Sequence, residues 1–129
     1  MRKPFEFVAF PARLAALSAY GPYRGIVSYI VDGDTFDVHV DVGWNDYPYR
    51  TIRVHGIDTP ELNTPEGKAA RDYVRLLMPS GTPCVLKTYK DVQTFGRYVA
   101  EVTVQASDGN TFDLATYLIT AGHAVRSVR

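Results

Sequence analysis

Residues 24–57 read RGIVSYIVDGDTFDVHVDVGWNDYPYRTIRVHGI, and this run decides the fold. Its middle, Thr35 to Val42, alternates strictly. Phe36, Val38, Val40 and Val42 face one way, and Asp37, His39 and Asp41 the other. A period of two marks a strand with one buried face. Upstream, β-branched Ile26, Val27, Ile30 and Val31 predict a strand over Arg24 to Val31. Asp32-Gly33-Asp34 breaks the two strands apart by a turn or bulge. Gly43 to Pro48 reads as a loop, and Tyr49 to Ile57 as the third strand. Three strands in succession with short breaks make a meander.

Further on the period changes. Asp58-Thr59-Pro60-Glu61 is an exposed connection. Thr64 caps a helix with Pro65 at its first position. Ala69, Ala70, Tyr73, Leu76 and Leu77 recur at helical spacing, and Pro79-Ser80-Gly81 ends the run. Pro83 to Tyr89 and Tyr98 to Gln105 are strands, the second with Ala100, Val102 and Val104 on one face. Asp108-Gly109 signals a tight hairpin. Asp113 caps a last helix carrying Leu114, Tyr117, Leu118 and Ala121, closed by Gly122. With no strand–helix–strand alternation, a parallel sheet is not expected. The pattern predicts an α+β, mainly β chain: a small closed or nearly closed antiparallel barrel of about five strands with two or three helices packed outside. Residues 1–23, with an apolar helical candidate at Arg13 to Ala19, read as an N-terminal extension, and residues 24–129 as the domain.

The 129 residues are 46% hydrophobic and 22% charged, enough apolar material for a core and against disorder. A single cysteine, Cys84, excludes an internal disulfide and reads as a small buried hydrophobe. No stretch approaches the roughly 18 apolar residues of a membrane helix. Met1-Arg2-Lys3 resembles the start of a signal peptide, but Glu6, Pro11 and Arg13 interrupt its apolar core. A cytoplasmic location is therefore expected over secretion. The formal net charge is zero, which argues against binding to nucleic acid mainly by bulk charge attraction. Between Asp32 and Glu66 stand eight acids and two bases, Arg50 and Arg53. An acidic segment holding two isolated arginines suits a cation site better than a phosphate-binding surface.

The chemistry concentrates at Asp32-Gly33-Asp34-Thr35, at Arg53 to Glu61 and at Gly96-Arg97. Phosphodiester hydrolysis needs charge neutralised on the phosphoryl oxygens, a water positioned in line and a stabilised leaving oxygen. Asp34 and Asp58 are hard oxygen ligands at strand ends, and the Thr59 carbonyl could join them on calcium; magnesium fits the same residues. No His/Cys cluster supports zinc. Glu61 could orient or deprotonate the water. Arg53 and Arg97 can each grip a phosphate bidentately. Taken singly, each residue has a bland reading: a turn aspartate, a solvated strand arginine, a helix entry. His39 reads as solvated, His55 as packed or hydrogen-bonded, and His123 as a cation favoured beside a helix end.

Val31-Asp32-Gly33-Asp34-Thr35, then Ile52 to Glu61, then Phe95-Gly96-Arg97, in that order, resemble the staphylococcal nuclease (thermonuclease) family over about Gly25 to Val125. The resemblance implies a five-stranded OB-fold barrel with helices and a calcium-dependent nuclease cutting DNA and RNA on the 5′-oxygen side to leave 3′-phosphates. It implies Asp34, Asp58 and the Thr59 carbonyl as metal ligands, Arg53 and Arg97 on the phosphate, and Glu61 as general base or water-orienting group. A single-stranded DNA or RNA substrate, no membrane, no protein partner and a monomeric state are expected. The chain departs from the family pattern at Gln93 and Thr94, where an acidic and a basic residue often stand, and lacks the lysine-rich loops of secreted members. Some members of the family place nucleotide-contacting tyrosines soon after the position of Val125; Trp44, Tyr47 or Tyr49 could replace that stacking platform, against a core or loop-packing role. The competing reading is a non-catalytic OB-type module that binds nucleic acid or a peptide. All five charged positions carry the active-type residue, which favours the enzyme.

Overall fold

A computed structural model describes residues 20–90 and 98–127. The expected helix at Arg13 to Ala19, the Phe95-Gly96-Arg97 motif and hence Arg97 lie outside the described residues. Strand β1 spans Tyr20–Asp32, β2 Thr35–Asp41 and β3 Tyr49–Val54. The alternation read from the sequence holds in β2, where Phe36, Val38 and Val40 are buried; Val42, expected on the same face, lies past the strand's end at Asp41 and is exposed. β1 begins at Tyr20, so four residues of the expected extension are strand. At 13 residues β1 is long, and irregularities between Val27 and Tyr29 and between Ile30 and Asp32 bend it. That bend lets one strand pair antiparallel with β2 on one side and with β5 (Pro83–Lys90) on the other.

β5 pairs antiparallel with β6 (Tyr98–Gln105), and β6 returns to β3, closing a five-stranded barrel with OB-like strand order. The closing pair is parallel, with Arg53 opposite Val99 and Val54 opposite Ala100. The barrel is thus mixed rather than wholly antiparallel. An odd number of strands joined in up-and-down sense leaves one seam where neighbours run the same way. A short β7 (Thr111–Asp113) adds to the outer edge of β6 through the predicted Asp108-Gly109 turn. The fold is α+β and mainly β, as expected.

The third predicted strand is split. Gly56 takes φ +81°, a turn in the left-handed region, and separates β3 from a two-residue β4 (Ile57–Asp58). β4 pairs antiparallel with β8 (Val125–Arg126), in what reads from the sequence as a plain tail.

Two helices among the described residues pack outside the barrel. Helix α1 (Pro65–Leu77) starts as predicted: the Thr64 hydroxyl accepts from Gly67 N–H at 3.0 Å, and Pro65 lies in the first turn. Its buried face is Gly67, Ala70 and Val74, with Tyr73 and Leu77 half-buried. Ala69 and Leu76, expected on that face, are exposed. The stripe 70, 73, 74, 77 is the i, i+3, i+4, i+7 set, and 69 and 76 lie off its edge. Helix α2 (Leu114–Thr120) is capped by Asp113, whose Oδ2 accepts from Thr116 N–H at 3.0 Å. It buries Leu114 and Leu118, while Tyr117 and Ala121 face outward. Neither helix is long and apolar enough to cross a membrane. Cys84 is buried in the core, which pushes its thiol up to about 12, so it stays protonated and inert.

Candidate active site

The β1–β2 turn is built for close approach. A Cβ on Gly33 would lie 2.9 Å from Ala70 Cβ and 3.0 Å from Thr59 Cγ2. Glycine there lets the turn press against α1 and the segment after β4. Asp34 N–H donates to Asp32 Oδ1 at 3.1 Å, an Asx turn, and Thr35 Oγ1 donates to Asp34 Oδ1 at 3.0 Å. Val54 N–H donates to the Asp34 carbonyl at 2.8 Å, and Thr35 is in register with Arg53. The acid at the start of β2 is thereby tied to the end of β3.

Arg53 bridges the two carboxylates. Its Nη2 donates to the Asp58 carboxylate, donates to the Ile57 carbonyl at 3.2 Å and lies 3.7 Å from Asp34 Oδ2. Thr59 N–H approaches Asp34 Oδ2 at 3.4 Å. The side chains of Arg53 and Asp34 are each 13% exposed and that of Asp58 40%, so the ion-pair cluster opens to solvent on the Asp58 side. The Gly56 turn and β8 hold Asp58 in place: Asp58 pairs with Val125, and Ser127 N–H donates to the Gly56 carbonyl at 2.9 Å.

Asp32 sits partly buried next to Asp34. Burial, followed by the neighbouring Asp34 carboxylate, raises its carboxyl from 3.8 to about 6. From the sequence Asp32 reads as a member of the Asp-Gly-Asp-Thr motif with no role of its own. The largest cause of the shift is burial in the folded chain, which no local pattern encodes.

Glu61 stands at the mouth of α1. Its side chain is exposed, while its carbonyl accepts from Thr64 N–H at 3.0 Å and Thr64 Oγ1 at 2.6 Å. Its backbone is therefore pinned and its carboxylate open to solvent. Of the six residues named from the sequence, Asp34, Arg53 and Asp58 form one cluster. Thr59 touches it through its N–H, Glu61 follows three residues after Asp58, and Arg97 is outside the described residues. Among the histidines, His39 is exposed with its ring 4.8 Å from Tyr49. His55 is exposed with its ring 5.1 Å from Tyr89, and His123 is half-buried beside Tyr73.

No family model matches the chain. It is similar to part of Endonuclease YhcR from Bacillus subtilis (strain 168). The identity is 27% over 125 residues, covering 88% of this chain and 10% of the relative. The chain thus spans about a tenth of the length of the curated relative it matches.

The donor set fits a hard divalent cation. Two carboxylates at strand ends face a common point, now bridged by the Arg53 guanidinium, and the Thr59 backbone lies beside them. Among the described residues no group of three His, Cys, Asp or Glu forms a ready cage. A cation held here would complete its shell from the Thr59 carbonyl, water and substrate oxygens, as an ion that takes six to eight oxygen ligands can.

Proposed function

We propose that the protein is a calcium-dependent nuclease that hydrolyses DNA and RNA on the 5′-oxygen side and leaves 3′-phosphates. The observation that carries the reading is the Arg53 guanidinium lying between Asp34 and Asp58 at the end of β3, eight residues before Glu61. The similarity to a segment of Endonuclease YhcR supports the coarser reading, a hydrolytic or binding role on nucleic acid.

Asp34, Asp58 and the Thr59 carbonyl would hold the cation. Bound there, calcium would neutralise charge on the phosphoryl oxygens. Arg53 supplies a planar fork of donors at the same point. It exchanges carboxylate contacts for phosphate oxygens when substrate arrives, and it holds the more highly charged transition state more strongly than the ground state. Glu61, exposed and with its backbone pinned by Thr64, orients the attacking water and accepts its proton. The water oxygen bonds to phosphorus as the bond to the 5′-oxygen breaks, and the departing oxygen takes a proton from solvent at the open side of the cluster, leaving a 3′-phosphate on one fragment and a 5′-hydroxyl on the other. Arg97 is assigned to the same phosphate by the motif Phe95-Gly96-Arg97.

Hydrolysis of labelled single-stranded DNA with calcium, with magnesium and with chelator tests this reading. Cleavage with calcium alone, giving 3′-phosphate ends, is expected. Retained binding without cleavage under any condition would instead make the chain a non-catalytic OB-type binding module.

A further inference from the structure

The outward face of the β2–β3 ribbon carries one continuous row of cross-strand pairs. Arg53 lies opposite Thr35, Thr51 opposite Asp37, and Tyr49 opposite His39. Same-face residues of a strand repeat about every 7 Å, so Tyr49 stands about 14 Å from Arg53 along a straight line. Each step is held. Asp37 accepts from the Thr51 hydroxyl at 2.6 Å and from the Tyr49 hydroxyl at 3.1 Å, and the Tyr49 ring meets the His39 ring edge-on at 4.8 Å.

Beyond Tyr49 the connecting loop places three successive residues at positive φ: Gly43 at 84°, Trp44 at 62° and Asn45 at 56°. This region is unfavourable for residues with a Cβ, tryptophan above all. The loop is closed on itself by Asp46 N–H to the Gly43 carbonyl at 3.0 Å and by Gly43 N–H to Asp41 Oδ1 at 2.9 Å. The outcome is a Trp44 that is 97% exposed. Strain that holds an indole out in water does nothing for the core. The row runs out at a hollow of about 560 Å³ walled by His39, Asp41 and Tyr47 on one side and Ile26, Pro83 and Val85 on the other.

We propose that this face is the track along which a single-stranded nucleic acid enters the candidate site, its bases stacking on Tyr49 and Trp44. The proposal rests on the nuclease reading above for its occupant. Continuity with Arg53 singles out the strand that the site would cleave. The charges fit bases rather than phosphates. Asp41 is paired with Arg24 at 3.2 Å, Asp37 is occupied by two hydroxyls, and the chain has no net charge. Ring faces stack on any base, and carboxylates already engaged by their neighbours leave no attraction for phosphate. Affinity on this track comes from stacking, so it falls little with salt, with a slope corresponding to about one or two phosphates.

Trp44 is the chain's single tryptophan, so its emission reports this face alone. The full chain in chelator is titrated with oligothymidylates, a dinucleotide and a decanucleotide. The decanucleotide quenches Trp44 and the dinucleotide does not. Tyr49→Leu weakens decanucleotide binding by about 5- to 150-fold, the range for one stacked base, and Tyr49→Phe restores it. Trp44→Ala, which alters a fully exposed side chain, gives a loss of the same order with labelled decanucleotide. Unquenched Trp44 with unchanged affinity in Tyr49→Leu would overturn the track, and cleavage by the wild-type chain would still uphold the nuclease reading. A blue shift that grows with protein concentration in the absence of oligonucleotide would also overturn it, marking a contact between copies. Quenching by the decanucleotide in a chain that cleaves nothing would support the track and sink the nuclease reading alone.

Discussion

Gly67 lies in the first turn of α1, where replacing glycine by alanine ordinarily stabilises a helix by about 0.4–1 kcal/mol. Here the structure reverses the sign. A Cβ at Gly67 would lie 1.9 Å from the Glu61 carbonyl oxygen, 2.5 Å from the Glu61 carbonyl carbon and 2.9 Å from Leu62 Cα. All three are backbone atoms, so no change of rotamer relieves the overlap. Overpacking alone costs about 1–3 kcal/mol. Moving the turn also strains the two hydrogen bonds from Thr64 to the Glu61 carbonyl, each contributing about 0.5–1.5 kcal/mol. Set against the helical gain, Gly67→Ala should destabilise the fold by about 2–4 kcal/mol. Urea denaturation of the two chains measures it. Because the same turn fixes Glu61, turnover should fall more than oligonucleotide affinity. An alanine variant as stable as the wild type or more so, with turnover intact, would refute the packing of α1 on Glu61.

Glu61→Gln should lower turnover by about 10²- to 10⁴-fold, the usual worth of a positioned acid or base, with oligonucleotide affinity unchanged. Equal losses in both would reduce Glu61 to a structural role. Asp34→Asn should raise the half-saturating calcium concentration by about tenfold or more and shrink the calcium-induced rise in melting temperature. An unchanged thermal shift removes Asp34 from the ligand set. For Asp32, a folded-state value raised from 3.8 to about 6 means that the folded chain binds this proton more tightly than the unfolded chain. Its contribution is complete below about pH 4 and is lost as pH rises through about 6. Asp32→Asn stays neutral and keeps the acceptor for Asp34 N–H, so its stability relative to wild type should grow by about 1 kcal/mol from pH 4 to pH 8, after discounting for partial exposure. Urea midpoints in chelator across that range test it, and a flat difference would count against the buried turn.

Local chemistry was legible in the sequence because it is settled by near neighbours. The alternation of Phe36, Val38 and Val40 set the buried face of β2, Thr64 and Asp113 announced their helices, and Asp108-Gly109 announced its hairpin. Residue type put Asp34, Arg53, Asp58, Thr59, Glu61 and Arg97 forward as candidates, and only the family resemblance implied a shared site for them. What local pattern could not supply was the meeting of Asp34 with Arg53 and Asp58. That depends on β-sheet register, where a slip of one residue turns every side chain to the opposite face. The parallel closure of β3 on β6 is likewise a long-range pairing with no local pattern. The two residues of β8, which hold Asp58, are too few to show any period. The exposure of Leu76 followed from which face of α1 met the barrel, and the rise of Asp32 from its burial beside Asp34. Sequence determined which residues are able to do chemistry and which strands and helices carry them. Tertiary structure decided which of them meet, because contact between distant segments is set by register and packing rather than by neighbours in the chain.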